Sequence, residues 1–332
     1  MKALLISKRL LDKPVKQITK SLEEQSVSYL FRQNPEAGDF EKVDFVIVFG
    51  SDGDVLRAFH QMGSTSKPVL GVSESDVSSF LTEVGLSNFS NAIKRVVDGN
   101  YRLEEASRLA VKANGIDMPQ ALNEVAIFPV RSASTMEYRL QLNGEDVWRD
   151  YGDGVIVATP TGSTAYAMSA GGPLVHPQAD VIIIVPVNSL DITRRPLIVS
   201  GSSTITISEI SSRYDCEIVI DGIFRSKVKD KIEVSKATNP ARLIRLPEIS
   251  PTADRVGKKV RLAEELLRMP PSAKLVLKTL EYEGPLTQKD LTKKTLLPPR
   301  TIRLALSLLT EKGLVKSRPL LRDVRQRIYE AV

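Results

Sequence analysis

Short runs of apolar residues alternate with helical patterns over the first hundred residues of the chain. Residues 45–49 contain no polar position, and residues 3–6 and 69–72 are similarly apolar. Strands of a parallel sheet are covered on both faces, so their sequences lack polar alternation. Helical spacing between these runs, as in residues 15–25, completes a β-α-β order. The pattern predicts an α/β, Rossmann-like domain over residues 1–99.

From about residue 100, strand patterns follow one another without intervening helices. Residues 109–112, 125–128 and 138–142 are patterned as strands. The pair Asn143-Gly144, which follows the last of them, is a strong signal for a hairpin turn. We therefore predict an all-β, sandwich-like domain over residues 100–250.

The last segment, residues 255–332, follows a series of prolines and has a third pattern. Three amphipathic helices are predicted, and in the third Ile302, Ala305 and Leu309 recur at the spacing of a buried helix face. Two predicted strands then flank a basic tip at residues 318–325. This α+β order resembles a winged helix–turn–helix domain.

Positive charge is concentrated in that last segment. It holds 18 lysines and arginines and eight acidic residues, whereas the rest of the chain holds 28 basic and 32 acidic residues. A basic domain beside a mildly acidic body suggests a nucleic-acid partner, with the third helix in the DNA major groove. Arg300, Arg303, Arg318 and Arg322 are the candidate DNA contacts. A solvated helix bundle, or a module for protein docking or dimerisation, is the alternative.

Composition argues against several classes of protein and site. No apolar run approaches the roughly 20 residues of a membrane helix, and residues 1–11 lack a signal-peptide cleavage pattern. The single cysteine, Cys216, excludes an internal disulfide framework, and two histidines argue against a histidine-rich metal site. We expect a cytoplasmic protein without a membrane segment.

A glycine-rich turn, Gly50-Ser51-Asp52-Gly53, joins the apolar strand 45–49 to a predicted helix. Glycines let a phosphate approach the backbone amides, and such sheets bind ligands at the carboxyl ends of their strands. The Asp52 carboxylate would repel a phosphate unless it binds a metal or accepts a proton from an attacking hydroxyl. The alternative is an Asp-Gly turn in which Asp52 caps the next helix.

A second candidate site is the stretch from Asp153 to Gly172. Its apolar strand, residues 155–158, stops at Thr159-Pro160, because proline has no amide hydrogen for a sheet. A hydroxyl-rich turn at residues 161–164 then precedes a helix start, a combination that suits a phosphate or a polyhydroxylated ligand. An ordinary capped helix is the alternative.

Asn123 and Glu124 precede a predicted strand and supply an amide beside a carboxylate, which can bind two hydroxyls of a ribose. Loop residues facing solvent are the alternative. In order, the glycine turn, this pair and the block DG…TPTGSTAY…GGP…HP over residues 153–177 resemble the NAD kinase family. The resemblance covers roughly residues 40 to 225, and the last block is its most specific part.

The resemblance implies a fold, an activity and ligands. The fold would be NAD kinase-like, with a Rossmann-like part and a β-sandwich part. The activity would be phosphoryl transfer from ATP, or from polyphosphate, to the 2′-hydroxyl of the adenosine ribose of NAD, which gives NADP. A divalent metal such as Mg²⁺ is implied, as is a homo-oligomer (dimer or tetramer) in which part of the pocket is offered across a subunit interface.

The resemblance also implies roles for individual residues. Asp52 matches the aspartate proposed as general base toward that hydroxyl, and Asp153 matches an aspartate at the nicotinamide end. The other positions implied to bind NAD are Asn123, Glu124, Thr161, Thr164, Ala165, Tyr166 and Ser169. The positions implied to contact the phosphates of ATP are Gly50, Ser51 and Gly53.

The sequence departs from the family pattern mainly on the phosphate-donor side. Ser51 replaces a glycine, and its hydroxyl could donate to a phosphate. Asp54 stands where a threonine is common, and its charge near ATP requires a metal or a basic neighbour. Two functions therefore stay open: an NAD kinase with a winged-helix tail, and an NAD(P)-sensing, DNA-binding transcription regulator that has weak or no catalysis. A lipid kinase with a related glycine turn fits less well, because residues 153–172 have the NAD-kinase form.

Overall fold

A seven-stranded sheet organises the amino-terminal part of the computed structural model. The structure describes residues 1–10, 12–74, 79–131, 134–246, 257, 264, 268–320 and 323–331. The strands of this sheet are β1 (Lys2–Ile6), β2 (Ser28–Arg32), β3 (Phe45–Phe49), β4 (Pro68–Ser73), β5 (Thr82–Gly85), β6 (Arg102–Ala106) and β19 (Ala241–Arg245). Their order is β2-β1-β3-β4-β19-β6, with β5 beside β4, and all neighbours are parallel except β19 and β6.

Helices cover both faces of this sheet. They are α1 (Lys13–Glu24), α2 (Ala37–Glu41), α3 (Asp52–Met62) and α4 (Phe89–Val97). Apolar residues of α1 and α4 belong to one core, and those of α2 and α3 belong to another on the opposite face. Every residue of β3 is buried between them, as its apolar sequence predicts. The predicted Rossmann-like architecture is confirmed.

Two strands assigned by their sequence position to the second domain lie instead in this first sheet. The predicted boundary between residues 99 and 100 placed β6 and β19 in the all-β domain, whereas β19 pairs with β4 and β6 pairs with β19. The first domain is therefore discontinuous in sequence. The pairing joins residues about 170 positions apart, for example Leu243 and Val69, and a local pattern does not indicate such a contact.

A β-sandwich forms the middle of the chain. One six-stranded sheet contains β7 (Leu109–Ala113), β8 (Ile116–Ala121), β10 (Met136–Leu142), β11 (Glu145–Gly152), β15 (Ile205–Ser212) and β18 (Ile232–Lys236). The other contains β9 (Glu124–Pro129), β12 (Gly154–Ala158), β13 (Val181–Val187), β14 (Leu197–Ser200), β16 (Cys216–Ile220) and β17 (Phe224–Val228). Both sheets are antiparallel and share one apolar core. The outer face of the second sheet packs against the short helix α5 (Tyr166–Ser169).

The carboxy-terminal residues form a small separate core of three helices and a three-stranded sheet. The elements are α6 (Pro271–Glu283), β20 (Leu286–Thr287), α7 (Gln288–Thr295), α8 (Pro299–Glu311), β21 (Val315–Leu320) and β22 (Asp323–Ala331). The sheet has the antiparallel order β20-β22-β21. Ile302, Ala305 and Leu309 of α8 are buried, as their spacing predicts.

In the part of the chain that the structure describes, no helix combines the length and the apolar character needed to cross a membrane.

Candidate active site

A cavity of about 660 Å³ lies where the first sheet, the sandwich and the carboxy-terminal domain meet. Its walls include most of the residues that the sequence pointed to: Ser51, Asp52, Gly53, Asn123, Glu124, Thr161, Thr164, Ala165, Tyr166 and Ser169. Gly50 and Asp153 do not line it. Residues from three distant parts of the sequence thus form one site, of a size suited to a nucleotide-like ligand.

Asp52 is held at the start of α3 by donors from residues 79–82, at the start of β5. Its carboxylate accepts the backbone amides of Phe80, Leu81 and Thr82 at 3.1, 3.0 and 3.1 Å, and the Ser79 hydroxyl also donates to it. Ser51, not Asp52, occupies the N-cap position of α3. The helix-capping alternative for Asp52 is therefore wrong, and its carboxylate instead links α3 to the neighbouring loop.

Asp54 is half-buried next to the glycine turn and is paired with two cations. Its carboxylate lies 2.8 Å from Lys8 Nζ and 3.0 Å from an Arg57 nitrogen. It also accepts the Ser51 amide at 3.0 Å and the Ser51 hydroxyl at 2.9 Å. Burial raises the pKa of the Asp54 carboxyl. The hydrogen bonds from Lys8 and Ser51, together with the positive charge of Lys8, have the larger and opposite effect and hold that pKa below its usual 3.8.

These contacts show what Ser51 and Asp54 do, the two residues at which the glycine turn departs from the family pattern. Asp54 has the basic neighbours that its charge requires, in Lys8 and Arg57. The Ser51 hydroxyl donates to Asp54, and Ser51 also lines the cavity. Gly50 is needed for packing, because a Cβ there would overlap the Asp54 carboxylate. Gly53 has room for a Cβ, which would lie 3.6 Å from the Ser51 hydroxyl.

Asp221 fixes the backbone of the Asn123-Glu124 pair. Its buried carboxylate accepts the amides of Leu122, Asn123 and Glu124 at 2.8, 2.7 and 3.0 Å. His60 Nε2 of α3 lies 2.9 Å from the same carboxylate. Asn123 is half-buried and Glu124 is buried, so neither is an ordinary solvent-facing loop residue. Asp221 directly follows β16, and no local sequence pattern indicates that its side chain organises the site.

Arg108 anchors the other end of α3. It donates to the carbonyls of Gly63 at 2.7 Å and Phe59 at 3.3 Å, and its side chain is fully buried. Burial lowers the pKa of the Arg108 guanidinium to about 10, against the opposing effect of the Asp221 carboxylate. The group therefore stays charged at neutral pH and satisfies carbonyls at the helix C-terminus. With Asp52 at its start, α3 is fixed at both ends.

The turn after β12 is hydrogen-bonded to the backbone of residues 122 and 123, next to the Asn123-Glu124 pair. The Thr159 hydroxyl donates to the Leu122 carbonyl at 2.6 Å and accepts the Gly162 amide at 3.0 Å, while the Thr159 amide donates to the Asn123 carbonyl at 2.9 Å. Gly162 has no room for a Cβ, which would overlap the Asn123 carbonyl. The two motifs thus act as one structural unit.

The helix predicted after this turn is very short. A 3-10 turn spans Gly162–Thr164, and α5 contains only the four residues Tyr166–Ser169. The phosphate site first suggested for a helix start here is therefore not supported by the helix itself. The Tyr166 ring lies at the cavity wall, with the Phe128 ring centroid 5.5 Å from its own and Lys278 Nζ 4.7 Å from its centroid.

Asp153 lies at the opposite end of β12 from the hydroxyl-rich turn. The five residues of β12 separate it from Thr159, a distance of roughly 16–20 Å along an extended strand. Its carboxylate accepts the Asn188 side-chain amide at 2.7 Å. Within one copy of the chain, Asp153 therefore does not join the other predicted NAD-binding residues.

The candidate DNA contacts lie away from this cavity. Arg300 and Arg303 of α8 and Arg318 of β21 are exposed, and none of them lines the cavity. Arg322 lies outside the described residues.

Over the residues that the structure describes, no group of three or more histidine, cysteine, aspartate or glutamate side chains could hold a metal ion.

Comparison with known proteins identifies the family. Residues 6–101 match the model of the ATP-NAD kinase N-terminal domain, and residues 122–246 match that of the ATP-NAD kinase C-terminal domain. The NAD kinase of Methanopyrus kandleri is 38% identical over 205 residues, which are 62% of this chain and 74% of that protein. The NAD kinase of Corynebacterium glutamicum is 35% identical over 249 residues, with 73% and 85% of the two chains covered.

Solved structures agree with this assignment. A crystal structure of an NAD kinase from Archaeoglobus fulgidus in complex with ATP superposes with a TM-score of 0.69 at 28% identity, and covers 79% of this chain and 99% of that one. Yeast NADH kinase complexed with NADH has the same fold at 20% identity, with a TM-score of 0.68 over 79% and 88% of the chains. Both family matches end before α6. With its two matched domains and the shared cavity between them, the chain belongs to the NAD kinase family of phosphotransferases.

Proposed function

We propose that this cavity binds NAD and a phosphoryl donor and transfers a phosphoryl group to the 2′-hydroxyl of the adenosine ribose, forming NADP. The observation that carries the proposal is that Asp52, the Asn123-Glu124 pair and the 161–166 turn converge on one cavity. The family assignment supplies the reaction, and the donor is ATP or polyphosphate.

Asp52 is proposed to orient the attacking hydroxyl and to accept its proton. Phosphoryl transfer passes through a loose transition state, so catalysis depends mainly on positioning and on neutralising charge. The amides of residues 80–82 fix the Asp52 carboxylate, which leaves it aligned rather than mobile. Of the donors that the described residues supply, three bind its Oδ1 and one, the Phe80 amide, binds its Oδ2, which is therefore the oxygen that we assign to the ribose hydroxyl.

Asn123, Glu124 and the turn at 161–166 are proposed to hold the nucleoside parts of NAD. An amide and a carboxylate can together bind neighbouring ribose hydroxyls, and both side chains are presented by a backbone that Asp221 fixes. The half-buried Tyr166 ring offers an aromatic surface for a base, as stacking requires. Thr161, Thr164, Ala165 and Ser169 complete this part of the wall.

The phosphoryl donor is proposed to approach the start of α3. Gly53 presents no side chain there, and Lys8 and Arg57 contribute positive charge to the same wall of the cavity. Mg²⁺ fits this region if the donor's phosphates supply most of its ligands, since Mg²⁺ is commonly held by one or two carboxylates together with substrate phosphates. Asp52 and Asp54 are the nearby protein carboxylates, and the ion would neutralise phosphate charge.

A homo-oligomer, a dimer or tetramer, is proposed from the position of Asp153. If Asp153 binds the nicotinamide end of NAD, it must do so in the cavity of another copy, because it lies outside the cavity of its own chain. Sedimentation of the protein with and without NAD tests this proposal. A strictly monomeric protein with full activity would contradict it. Location in the cytoplasm stays a prediction.

A DNA-binding role for the carboxy-terminal domain is the second proposal. Its element order fits a winged helix–turn–helix, and the outer face of α8 exposes Arg300 and Arg303 beside Leu304, which is 66% exposed. Together with the basic surplus of the tail, this face suits contact with phosphates and base edges in a major groove. An NAD(P)-sensing transcription regulator with weak catalysis is the corresponding alternative to the kinase.

Two experiments separate these functions. Purified protein incubated with NAD, ATP and Mg²⁺ should form NADP, whereas a regulator without catalysis should form none. Fluorescence anisotropy with labelled duplex DNA at low salt should show binding that weakens as salt rises. Replacement of Arg300 and Arg303 by alanine should reduce that binding, with Lys20→Ala on α1 as a control. Absence of binding by the full chain at low salt would remove the DNA-binding proposal.

A further inference from the structure

A buried hydrogen bond between His60 and Asp221 connects the helix of the proposed general base to the backbone of the proposed ribose-binding pair. His60 lies on α3, roughly 12 Å along the helix axis from Asp52. Its Nε2 lies 2.9 Å from Asp221 Oδ2, and the two side chains are 8% and 0% exposed. A carboxylate oxygen only accepts, so His60 Nε2 donates this hydrogen bond. The contact is shielded from water, where a hydrogen bond is electrostatically stronger.

The two partners belong to different parts of the fold. Helix α3 packs on the first sheet, whereas Asp221 directly follows β16 of the sandwich. The Asp221 carboxylate also accepts the amides of residues 122–124, which carry the Asn123-Glu124 pair. Asp52 and this pair line the same cavity. The position of α3 against the sandwich therefore sets the distance from the proposed proton acceptor to the proposed ribose site.

The other contacts of α3 described above do not reach the carboxylate that holds the pair. The Asp52 side chain binds the amides of residues 80–82, which belong to the first sheet and the loop before it. Arg108 binds main-chain carbonyls at the end of the helix. His60 instead contacts Asp221 itself, so it connects the proposed catalytic helix to the backbone that presents Asn123 and Glu124.

We infer that His60 is a positioning residue for phosphoryl transfer, which holds α3 against Asp221 so that Asp52 meets the bound ribose hydroxyl. The inference rests on the proposed NAD kinase function. His60 does not line the cavity and does not touch substrate in this account. Misplacement of a catalytic group by about 1 Å can lower the rate about a hundredfold. Loss of the hydrogen bond should therefore lower kcat, whereas NAD binding should change little because Asp221 keeps its three amide donors.

The test is a comparison of the full-length variants His60→Phe, His60→Gln and Met62→Ala. Phenylalanine keeps a ring without a donor, whereas the amide nitrogen of glutamine can take nearly the place of the histidine Nε2. With NAD as the varied substrate, His60→Phe should have a kcat at least about tenfold lower and a KM within about twofold of wild type. His60→Gln should recover most of the wild-type kcat. Calorimetric titration with NAD in the absence of ATP should show an affinity for His60→Phe within about twofold of wild type.

Met62→Ala is the control for a general loss of stability. Met62 is a buried residue of α3 in the apolar core, and its truncation leaves a cavity there without removing the contact between His60 and Asp221. Its midpoint of urea unfolding should fall at least as far as that of His60→Phe, with kcat within about twofold of wild type. If His60→Phe does not fold, His60→Asn takes its place, because the shorter amide does not reach Asp221.

The outcomes distinguish this inference from the function on which it rests. If the wild type forms no NADP, the proposed function fails and the role of His60 falls with it. If the wild type is active and loss of the donor leaves kcat unchanged, the inference alone is overturned. A higher KM with an unchanged kcat would also overturn it, because His60 would then serve binding rather than alignment. An equal fall of kcat in Met62→Ala, or no recovery in His60→Gln, would overturn it as well.

Discussion

The Asp221 carboxylate lies 2.7 Å from the backbone nitrogen of Asn123, and this contact connects a turn at residue 221 to a pair almost a hundred positions earlier. The same carboxylate also accepts the amides of Leu122 and Glu124. Asp221 therefore sets the backbone from which the two proposed ribose-binding side chains project. It touches neither substrate in our account and acts by positioning.

Asp221→Asn should weaken both stability and NAD binding. The replacement puts an NH₂ donor where backbone amides donate, which leaves at least one of them without its acceptor. We expect a loss of about 1–3 kcal/mol in the free energy of unfolding and a fall of about tenfold or more in kcat/KM for NAD. Urea unfolding and steady-state kinetics measure the two effects.

Asp215→Asn is the control for that prediction. Asp215 pairs with Lys227 on the surface, where its side chain is 62% exposed, and a surface substitution should change stability by less than about 0.5 kcal/mol. Equal losses in the two variants would contradict the positioning role of Asp221.

Gly162→Ala should separate the 161–166 turn from the Asn123-Glu124 pair. The new Cβ would overlap the Asn123 carbonyl, so the backbone on one side must move. We expect a loss of about 1–3 kcal/mol in unfolding free energy and a higher KM for NAD. Gly38→Ala is the matched control, because a Cβ there meets nothing within 4 Å. A variant at Gly162 that behaves like the one at Gly38 would show that the turn and the pair are not coupled.

Much of the candidate site could be predicted from local sequence patterns. The rest depends on contacts between residues that are far apart in the sequence, which such patterns do not indicate. The apolar run of β3 and the stop of β12 at Thr159 are local patterns, so their strands and the two flanking motifs were predictable. The pairing of β19 with β4 and the role of Asp221 join residues far apart in sequence. The contribution of the carboxy-terminal domain to the cavity wall was not predicted for the same reason, since a helix pattern shows which face is apolar but not which cavity it borders.

The Asp54 ion pairs predict an acid-sensitive contribution to stability. The pKa of Asp54 in the folded chain lies below its usual value of 3.8, so the unfolded chain binds this proton more tightly. The stabilisation is therefore complete above about pH 5 and is lost as pH falls through 3.8 and then through the lower folded pKa. Asp54→Asn should be less stable than wild type at pH 7, with a gap that narrows below about pH 4. Urea unfolding at a series of pH values measures the gap, and a gap independent of pH would contradict the ion-pair account.

The central claim is that Asp52 serves the phosphoryl transfer, and the direct measurement is NADP formation by wild type and Asp52→Asn with NAD, ATP and Mg²⁺. General-base catalysis contributes typically 10²–10⁴-fold, so kcat of the variant should fall by at least about a hundredfold. Calorimetry should show NAD affinity within severalfold of wild type, because the pair at 123–124 and the turn at 161–166 are unchanged. NADP formation by Asp52→Asn at the wild-type rate would contradict the account.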